Sequence, residues 1–354
     1  MKLLHSADWH LDSPIVGRTP EQTAFLREQL LSLPGKIVAA AKKEGCDMIL
    51  LSGDLFDGEY SRESLDAVRA ALGDAGIPVF IAPGNHDFAA PDSCYLSQPW
   101  PENVHIFTKP QIESVVPAGL DCRVYGAAFT ALYCDNLLED FHADAAELYA
   151  VGVFHGDPTS PDSPYSPITT LTIQNSGLDY LALGHIHKQG ALRAGATICA
   201  WPGCPLGRGF DETGIRGVLI VTLEDTVSTR FLPLDTVRFY DLSVEAGEDP
   251  IATLSRLLPA AESTDFYRVT LTGECADTTA VSAGFPHLRN LELRDRTVPP
   301  IDLWATAGED TLEGTYFSSL RQALEHADEV ETEHILLAAR LSRKILDGQE
   351  VVLP

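Results

Sequence analysis

The sequence predicts an α/β fold with parallel strands, and three observations support this. Short apolar runs typical of buried strands recur along the first half of the chain. Stretches with helical periodicity separate these runs, and an alternation of strand and helix pairs the strands in parallel. Polar residues able to do chemistry follow each strand-like run directly. We therefore expect these residues at the carboxyl edge of one sheet, where open α/β sheets bind their ligands.

The length of 354 residues suits one large domain and one smaller domain. We place the boundary in the stretch from Asp235 to Asp241, which gives domains at residues 1–238 and 239–354. Hydrophobic residues make up 45% of the chain, an ordinary share for a soluble globular protein. No apolar run approaches the roughly 20 residues of a membrane helix, so we expect no membrane segment.

The chain begins with strand, helix, strand and helix. After a strand at Lys2 to Ala7, the TPEQ motif that starts at Thr19 has the residues of a helix start, with Thr as N-cap and Pro in the first turn. We expect this helix to run toward Gly45, with Pro34 as a candidate kink. Ser61 caps a second helix, whose apolar residues keep the three-and-four spacing of an amphipathic helix.

Further strands are predicted at Met48 to Ser52, Pro78 to Ala82, Tyr149 to Phe154, and Tyr180 to Leu183. More closely spaced strands follow, and we assign them to a second sheet: Thr197 to Ala200, Val218 to Leu223, and Ser228 to Leu232. The proline-rich segment from Pro158 to Pro167 is interpreted as a surface loop beside His155. Two helices are expected near Thr311 to His326 and Glu333 to Leu346, with Gly348 as a C-terminal stop.

Seven residues of the types that bind metals follow the strand-like runs: Asp8, His10, Asp54, Asn85, His155, His185 and His187. Hard oxygen donors mixed with imidazoles suit Mn, Fe or Zn better than Ca. Residues two apart on an extended segment project to one side, so each D-x-H or H-x-H pair can enter one metal centre. A carboxylate can bridge two cations about 3.5 to 4 Å apart, and we assign this role to Asp54. The pattern predicts a two-metal centre of the kind that cleaves phosphoesters, with Mn preferred.

The order D-x-H, GDxxD, GNHD, HG and GHxH resembles that of the calcineurin-like metallophosphoesterase superfamily. The resemblance implies a four-layer αββα sandwich, here followed by a smaller C-terminal α+β domain. It also implies two ligand sets, which are Asp8, His10, Asp54 and His187 for the first metal and Asp54, Asn85, His155 and His185 for the second. His86 would be the catalytic histidine that protonates the leaving oxygen, and Asp57 would orient His86.

Other segments resemble the DNA repair exonuclease branch of that superfamily, the SbcD and YhaO type. They are ADWHLDSP, GDLFD and the stretch from Trp201 to Gly217, together with YRVTLTG near Tyr267 and TLEGTYFSSL near Thr311. The resemblance implies an exonuclease or endonuclease that acts in DNA repair, with a partner ATPase of the SbcC or YhaN type. Many archaeal and eukaryotic relatives carry His where this chain has Asp57. The resemblance therefore supports phosphoester cleavage more strongly than it supports the exonuclease activity of those relatives.

The formal net charge of −26, from 25 basic and 51 acidic residues, opposes tight independent binding of DNA. We expect DNA binding to be weak for the chain alone. Two alternatives stay open. One is a phosphoesterase on a small substrate, such as a cyclic nucleotide, or on a phosphoprotein, which the acidic surface favours. The other is a non-catalytic scaffold with the same fold, although scaffolds usually lose ligands. A homodimer is also left open.

Three polar residues near the predicted site have two readings each. Arg208 is a candidate for bidentate binding of a substrate phosphate, or else a solvated loop residue. Asp12 and Asp87 either orient His10 or His86, or close a turn and cap a segment.

Seven cysteines without a C-x-x-C pair argue against a disulfide framework and make the cytoplasm the simplest location. Three further histidines, His5, His105 and His142, are interpreted as structural.

Overall fold

The computed structural model describes residues 1–144 and 149–348. It divides into two compact units. The first comprises Met1–Asp241 with Thr264–Tyr267, and the second comprises Leu242–Ser263 and the chain from Arg268 onward. The chain therefore leaves the first unit after Asp241, returns to it for Thr264–Tyr267, and leaves it again at Arg268. From the sequence we expected one boundary, near residue 238.

The first unit contains twelve complete strands and four helices within the described residues. In chain order they are β1 (Lys2–Ser6), α1 (Pro20–Glu44), β2 (Met48–Leu51), α2 (Arg62–Asp74), β3 (Val79–Ile81), α3 (Cys94–Ser97), β4 (Val104–Ile106), β5 (Glu113–Val115), β6 (Cys122–Gly126), β7 (Tyr149–His155), α4 (Thr170–Asn175), β8 (Tyr180–Gly184), β9 (Gly190–Ala194), β10 (Thr197–Trp201), β11 (Gly217–Leu223) and β12 (Val227–Pro233).

These strands form two six-stranded sheets, with the orders β12-β11-β1-β2-β3-β4 and β5-β6-β7-β8-β10-β9. Strands β1 to β4 pair in parallel, as do β6, β7, β8 and β10. Strands β11, β12, β5 and β9 pair antiparallel to their neighbours. Each sheet thus has a parallel centre, and its parallel strands present their carboxyl ends at one edge.

Three apolar clusters separate the layers. Between the helices α1 and α2 and the first sheet lie Leu30, Ile37, Leu72, Leu4, Ile49 and Leu51. Between the two sheets lie Leu3, Leu50, Phe80, Val151, Val153 and Tyr180. On the outer face of the second sheet lie Phe129, Phe154, Ile173, Leu181 and Leu183. Successive strand residues alternate between clusters because side chains alternate across a pleated strand. The result is the expected four-layer αββα sandwich.

The assignment of strands to sheets from the sequence was wrong in two places. Strands β1, β2 and β3 belong to the first sheet, whereas β7 and β8 belong to the second, so the site residues do not all reach the edge of one sheet. Of the three later strands expected in the second sheet, only β10 lies there, and β11 and β12 extend the first. A strand buried on both faces carries an apolar sequence in either sheet, so its residues do not specify its neighbours.

Helix α1 begins at the predicted motif. The Thr19 side chain accepts a hydrogen bond from the Gln22 backbone, the Gln22 side chain accepts one from the Thr19 backbone, and Gly45 closes the helix in the left-handed conformation. Pro34 lies inside this helix without ending it. Helix α2 is capped by Ser61, as expected. Each of these capping signals involves residues only a few positions apart, so the helix ends can be predicted from the sequence.

The second unit includes most of a three-stranded sheet in the order β13 (Phe239–Glu245), β14 (Phe266–Thr272) and β15 (Leu291–Asp295). Its helices are α5 (Pro250–Leu254), α6 (Leu312–Leu324) and α7 (Glu329–Leu346). Helix α7 begins four residues earlier than predicted, at an Asp328 cap with a capping box. The buried Arg343 guanidinium lies 4.1 Å from the Phe317 ring centroid and pairs with Glu313, which ties α7 to α6.

None of the helices in the described part of the chain is both long enough and apolar enough to cross a membrane. All seven cysteines are free thiols, and six of them are buried. Burial raises the pKa of Cys46 and Cys134 to about 11 in each case, so these thiols stay protonated near neutral pH.

Candidate metal centre

Each candidate ligand lies at the end of a parallel strand or in the loop that follows it. Asp8 and His10 follow β1, Asp54 follows β2, Asn85 follows β3, His155 ends β7, and His185 and His187 follow β8. Four ligands therefore come from the first sheet and three from the second. The carboxyl ends of the two sheets meet at this point, and the seven side chains that the sequence singled out lie together there.

The backbone of this cluster is strained. The φ angles of Asp8, His10, Asp54 and His185 are 56°, 46°, 54° and 94°, in the left-handed region that non-glycine residues seldom adopt. Each such residue costs on the order of 1 kcal/mol or more, and strain of this kind concentrates at functional sites. Gly84 allows a close approach of two loops, because a Cβ atom there would collide with Asp54 Oδ1.

Two imidazoles face each other in the first half of the cluster. His10 Nε2 lies 3.0 Å from His187 Nε2. The other ring nitrogen of each is held by a carboxylate, since His10 Nδ1 lies 3.1 Å from Asp57 and His187 Nδ1 lies 2.7 Å from Glu212. If each Nδ1–H donates to its carboxylate, both Nε2 atoms present lone pairs to the same point. A cation held by both nitrogens would relieve this repulsion.

The second half of the cluster repeats the arrangement. His155 Nδ1 donates to the Ser52 carbonyl over 2.9 Å, and Nε2 lies 2.9 Å from Asn85 Oδ1. When the ring is neutral, Nε2 presents its lone pair on that side. His185 Nδ1 lies 3.2 Å from the same amide oxygen. Three electron-rich atoms therefore converge on a second point. The donor set of imidazoles, an amide oxygen and a carboxylate fits a divalent transition metal.

One oxygen of Asp54 lies between the two halves. Asp54 Oδ2 is 3.6 Å from His10 Nε2 and 3.4 Å from His155 Nε2. The other oxygen, Oδ1, accepts the backbone N–H of His86 over 2.9 Å, which fixes the rotation of the carboxylate. A single oxygen placed between two groups of nitrogen donors has the position that a bridging ligand needs.

Asp8 has an unsatisfied oxygen in this cluster. Its Oδ1 accepts the backbone N–H of His185 over 2.9 Å. Its Oδ2 is buried and has no hydrogen-bond partner among the described residues. An unpaired buried carboxylate oxygen is costly, and burial accordingly raises the pKa of Asp8. A cation at this oxygen would remove that cost, so the residues fit a metal.

Burial and neighbouring charges shift the pKa values of the histidines and carboxylates in the cluster. Burial alone would lower the pKa of His155, but the Asp54 carboxylate outweighs it and raises the pKa to about 9. Burial would raise the pKa of Asp54, yet the His155 imidazole holds it well below its usual range. Burial, followed by the repulsion of His155, lowers the pKa of His185 to about 4. A proton and a metal cation would compete for the lone pair of His155 Nε2.

His86 lies at the open side of the cluster, and 46% of its side chain is exposed. Its Nδ1 lies 2.6 Å from Asp57 Oδ1, the oxygen that also contacts His10. The hydrogen bond that His86 donates to Asp57 raises the pKa of His86, and the hydrogen bonds donated by His10 and His86 hold the pKa of Asp57 well below its usual range. Asp57 thus orients one imidazole inside the cluster and one at its mouth.

The sequence analysis missed Glu212. This residue is buried, and its Oε1 lies 2.7 Å from His187 Nδ1. Arg208 pairs with it in a bidentate manner, with Nη2 to Oε1 at 2.6 Å and Nε to Oε2 at 3.2 Å. Arg208 therefore lies beside the cluster, held by Glu212. The two residues are four apart in a loop without regular periodicity, so no pattern in the sequence marked Glu212.

Asp87 and Asp12 have local roles in the structure. Asp87 accepts a hydrogen bond from the Tyr95 hydroxyl over 2.5 Å and others from the backbone N–H groups of Gly84, Asp54, Leu55 and Phe56. It ties together the two loops that carry Asp54 and Asn85. Asp12 accepts from Ser61 N and Ser64 Oγ at the start of α2. The hydrogen bonds described for the two aspartates go to these groups rather than to His86 or His10.

A cavity of about 420 Å³ opens beside His86. Its lining combines aromatic rings and carboxylates, including Phe56, Tyr60, Phe88, Glu59 and Asp92. The carboxylates disfavour an anionic group there.

A sandwich of two mixed sheets with carboxylates and imidazoles at the strand ends is typical of hydrolases that act on phosphoesters. Residues 1–189, more than half of the chain, match the family described as calcineurin-like phosphoesterase. The chain belongs to this family. Its clusters of carboxylates and imidazoles are consistent with a binuclear site for divalent metals.

Two relatives come from Bacillus subtilis strain 168. The chain is 34% identical over 236 residues to the uncharacterized metallophosphoesterase YhaO, a match that covers 62% of this chain and 57% of that protein. It is 28% identical over 265 residues to the SbcD subunit of nuclease SbcCD, a match that covers 62% of this chain and 66% of that protein. The chain therefore spans less than two thirds of the length of either relative.

Solved structures with detectable similarity are more distant. TT1561 of Thermus thermophilus is 15% identical, with a TM-score of 0.40 and coverage of 65% of this chain and 98% of that chain. A dimetal phosphatase from Danio rerio is 13% identical, with a TM-score of 0.41 and coverage of 65% and 98%.

Proposed function

We propose that this chain is a two-metal phosphodiesterase that cleaves DNA at or near strand ends and acts in DNA repair with a partner ATPase. The observation that carries the proposal is the convergence of imidazole nitrogens, an amide oxygen and carboxylate oxygens on two points either side of Asp54 Oδ2, at separations of 2.9 to 3.6 Å. Cations at both points would balance this arrangement of electron-rich atoms.

We assign two ligand sets that share Asp54. The first cation would be held by Asp8, His10, Asp54 and His187, and the second by Asp54, Asn85, His155 and His185. The mixture of oxygen and nitrogen donors suits Mn, Fe or Zn, and we take Mn as the first choice. Two cations bound here would neutralise the charge of a phosphodiester and lower the pKa of water at the site.

His86 is assigned as the general acid. Asp57 holds Nδ1 of this imidazole, which leaves Nε2 directed away from Asp57. The pKa of His86 is raised by that contact, so a larger fraction of the ring carries the proton that the leaving sugar oxygen needs. Asp57 keeps the ring in position and stabilises its protonated form.

Arg208 stays our candidate for a contact to a substrate phosphate. The pair with Glu212 engages its Nε and Nη2 atoms, so a phosphate contact would use Nη1. Side-chain exposure of 19% leaves the guanidinium within reach of a bound substrate.

DNA as substrate is supported by the similarity to the SbcD subunit of nuclease SbcCD. Because the charge of −26 opposes strong DNA binding, we assign most of the affinity to an ATPase of the SbcC or YhaN type. Seven free thiols support a cytoplasmic location.

A second candidate is a phosphoesterase on a small substrate, such as a cyclic nucleotide, or on a phosphoprotein. The same net charge favours it, since a small substrate needs no extended basic surface.

The test is a hydrolysis assay with added Mn on labelled single- and double-stranded DNA, a generic phosphodiester and a cyclic nucleotide. We expect cleavage of the DNA strands and of the generic diester. Efficient cleavage of the cyclic nucleotide without cleavage of DNA, with or without the ATPase, would select the second candidate. Failure to cleave any of the four substrates would contradict the nuclease proposal and the cyclic-nucleotide form of the second candidate.

A further inference from the structure

A row of aromatic rings leads outward from the second ligand set. The Tyr165 ring centroid lies 4.9 Å from that of His185, at an interplanar angle of 40°. The Tyr133 ring lies 5.6 Å from Tyr165, at 38°. Tyr133 is 60% exposed and has the exposed Leu132 beside it in the chain. The row therefore connects the site to an aromatic surface that solvent reaches.

Backbone hydrogen bonds join the two segments that carry these tyrosines. Cys134 N donates to Pro164 O over 3.0 Å, and Ser166 N donates to Cys134 O over 2.7 Å. The neighbours of Tyr133 and Tyr165 in the chain are thus paired directly. Such pairing fixes the spacing of the two rings before any ligand binds, and preorganised groups lose less entropy on binding.

Ser166, the residue after Tyr165, has a strained backbone conformation that its hydrogen bonds hold in place. Ser166 is fully buried with a φ angle of 50°, although it is not a glycine. Its Oγ accepts the backbone N–H of Leu137 over 3.1 Å. A left-handed serine persists only where its surroundings enforce it, and such residues gather at functional sites. The proline-rich segment is therefore a surface loop that also fixes the position of Tyr165.

We propose that Tyr133 and Tyr165 form a stacking platform for a nucleobase of a single strand, next to the phosphate bound at the metal centre. This inference rests on the proposed function and names the part of the strand that this end of the site recognises. Stacking on an aromatic ring needs no positive charge and tolerates any base. It therefore provides affinity for a strand to a chain whose net charge of −26 makes phosphate contacts scarce.

The test is equilibrium binding of short single strands in which one abasic position is moved along the sequence. All proteins carry Mn and His86→Ala, which slows cleavage of the strands during the measurement. We expect an abasic residue at one position near the bound phosphate to weaken binding about fivefold or more, the lower end for stacking of one base. Tyr133→Leu should weaken binding of the intact strand by a similar factor and abolish the effect of that abasic residue. Tyr133→Phe should keep the affinity for the intact strand and the sensitivity to the abasic residue.

Tyr149→Leu is the matched control, because Tyr149 begins β7 and so lies at the opposite end of that strand from His155. Its binding should equal that of the parent protein. Fluorescence of 2-aminopurine at the sensitive position provides a second readout, since stacking quenches it and Tyr133→Leu should restore it.

Three outcomes would overturn the inference. Tyr133→Leu could bind like the parent, it could stay sensitive to the same abasic position, or Tyr149→Leu could show the same loss. Failure of the parent to bind any single strand would overturn the stacking platform alone if the protein that retains His86 still cleaves DNA. If that protein hydrolyses a small diester but cleaves no DNA, with or without the ATPase, the proposed DNA substrate is contradicted as well.

Discussion

At the scale of single residues, the position of Asp54 Oδ2 between two groups of nitrogen donors sets the first prediction. Asp54→Asn removes the negative charge that both cations would share. We expect bound metal to fall from two per chain to one or less and turnover of a generic diester to be abolished. Elemental analysis of the purified variant measures the metal. Asp66→Asn, on the exposed side of α2, should change neither quantity. Two tightly held metals with intact activity would contradict the bridging role.

His86→Ala should differ from Asp54→Asn in kind. We expect the rate to fall about a hundredfold or more through loss of the general acid, while bound metal stays near two per chain. The loss should be larger for an alkyl leaving group than for p-nitrophenol, which departs without a proton. Asp57→Asn should have a smaller effect on the rate.

The comparison for His86→Ala is His142→Ala, because His142 is an exposed histidine that donates to a backbone carbonyl. Its rate on both diesters should match the wild type. Loss of both metals in His86→Ala would show that His86 is a ligand.

Glu212→Gln tests the residue that the sequence analysis missed. The neutral amide would hold His187 less firmly and would break the charge pair with Arg208. Outer partners of metal-binding histidines typically change metal affinity by 10- to 100-fold, so we expect weaker Mn binding within about that range in a chelator competition. Glu224→Gln, an exposed change of the same chemistry, should have no effect. Unchanged affinity in Glu212→Gln would remove it from the site.

The candidate ligands could be predicted because each one directly follows a strand-like run and several occur in pairs. Asp57 could be placed through its spacing to Asp54 and the family resemblance. The contacts of Glu212 and Asp87 could not be predicted, because they depend on how loops from different strands pack together. Asp87 binds backbone groups more than thirty residues away in the chain, and no local pattern encodes such a partner. The metal role of the seven ligands stays a prediction.

At the scale of elements, the two sheets are joined by a polar contact inside an apolar layer. His5 in β1 lies 2.8 Å from the Tyr180 hydroxyl in β8 and 2.7 Å from Ser52 Oγ after β2. All of these hydrogen bonds are buried. Burial lowers the pKa of His5 to about 3, so the imidazole is neutral in the folded protein at ordinary pH.

This contact predicts acid sensitivity. Between pH 6.5 and 3 the unfolded chain binds a proton at His5 and the folded chain does not, so stability falls as pH falls through that window. The expected loss is about 2 kcal/mol between pH 7 and pH 5. Urea unfolding of the metal-free protein should give a shallower pH dependence for His5→Gln than for the wild type, whereas His142→Gln should not. Equal slopes for His5→Gln and wild type would show that His5 titrates normally in the fold.

The helix starts and the strands that precede the candidate ligands followed from the sequence because local capping and periodicity determine them, whereas the four-layer sandwich was implied by the family resemblance. The TPEQ motif at Thr19 and the cap at Ser61 are examples. The sheet to which a strand belongs did not follow. Strands β11 and β12 belong to the first sheet, although they follow all strands of the second sheet in the chain. Their position depends on the pairing of β1 with β11, which lie more than two hundred residues apart.

At the scale of the whole molecule, the excess of acidic residues predicts weak binding of duplex DNA by the chain alone. Few phosphates would be neutralised, so the slope of log K against log salt should be shallow, with a magnitude below about 3. Fluorescence anisotropy between about 50 and 200 mM KCl measures this slope. Addition of the ATPase partner should raise the affinity.

A truncation before Thr311, which removes α6 and α7, separates the two contributions. We expect it to weaken the gain from the ATPase and to leave hydrolysis of a small diester largely intact, provided the first unit folds alone. The full-length chain is the comparison in each assay. Tight, steeply salt-dependent binding by the chain alone would contradict the weak-binding prediction.

If the seven candidate ligands hold two cations, their division between two sheets also sets an order for metal loading during synthesis. Four ligands have been made once residue 85 leaves the ribosome, but His155, His185 and His187 are made only later, the last of them about a hundred residues further on. An early chain thus offers either cation an incomplete set of donors. Tight loading waits until the second sheet has docked, and a ligand that binds only the folded state stabilises it by mass action. Incorporation of the metals would then mark chains whose two halves have assembled correctly.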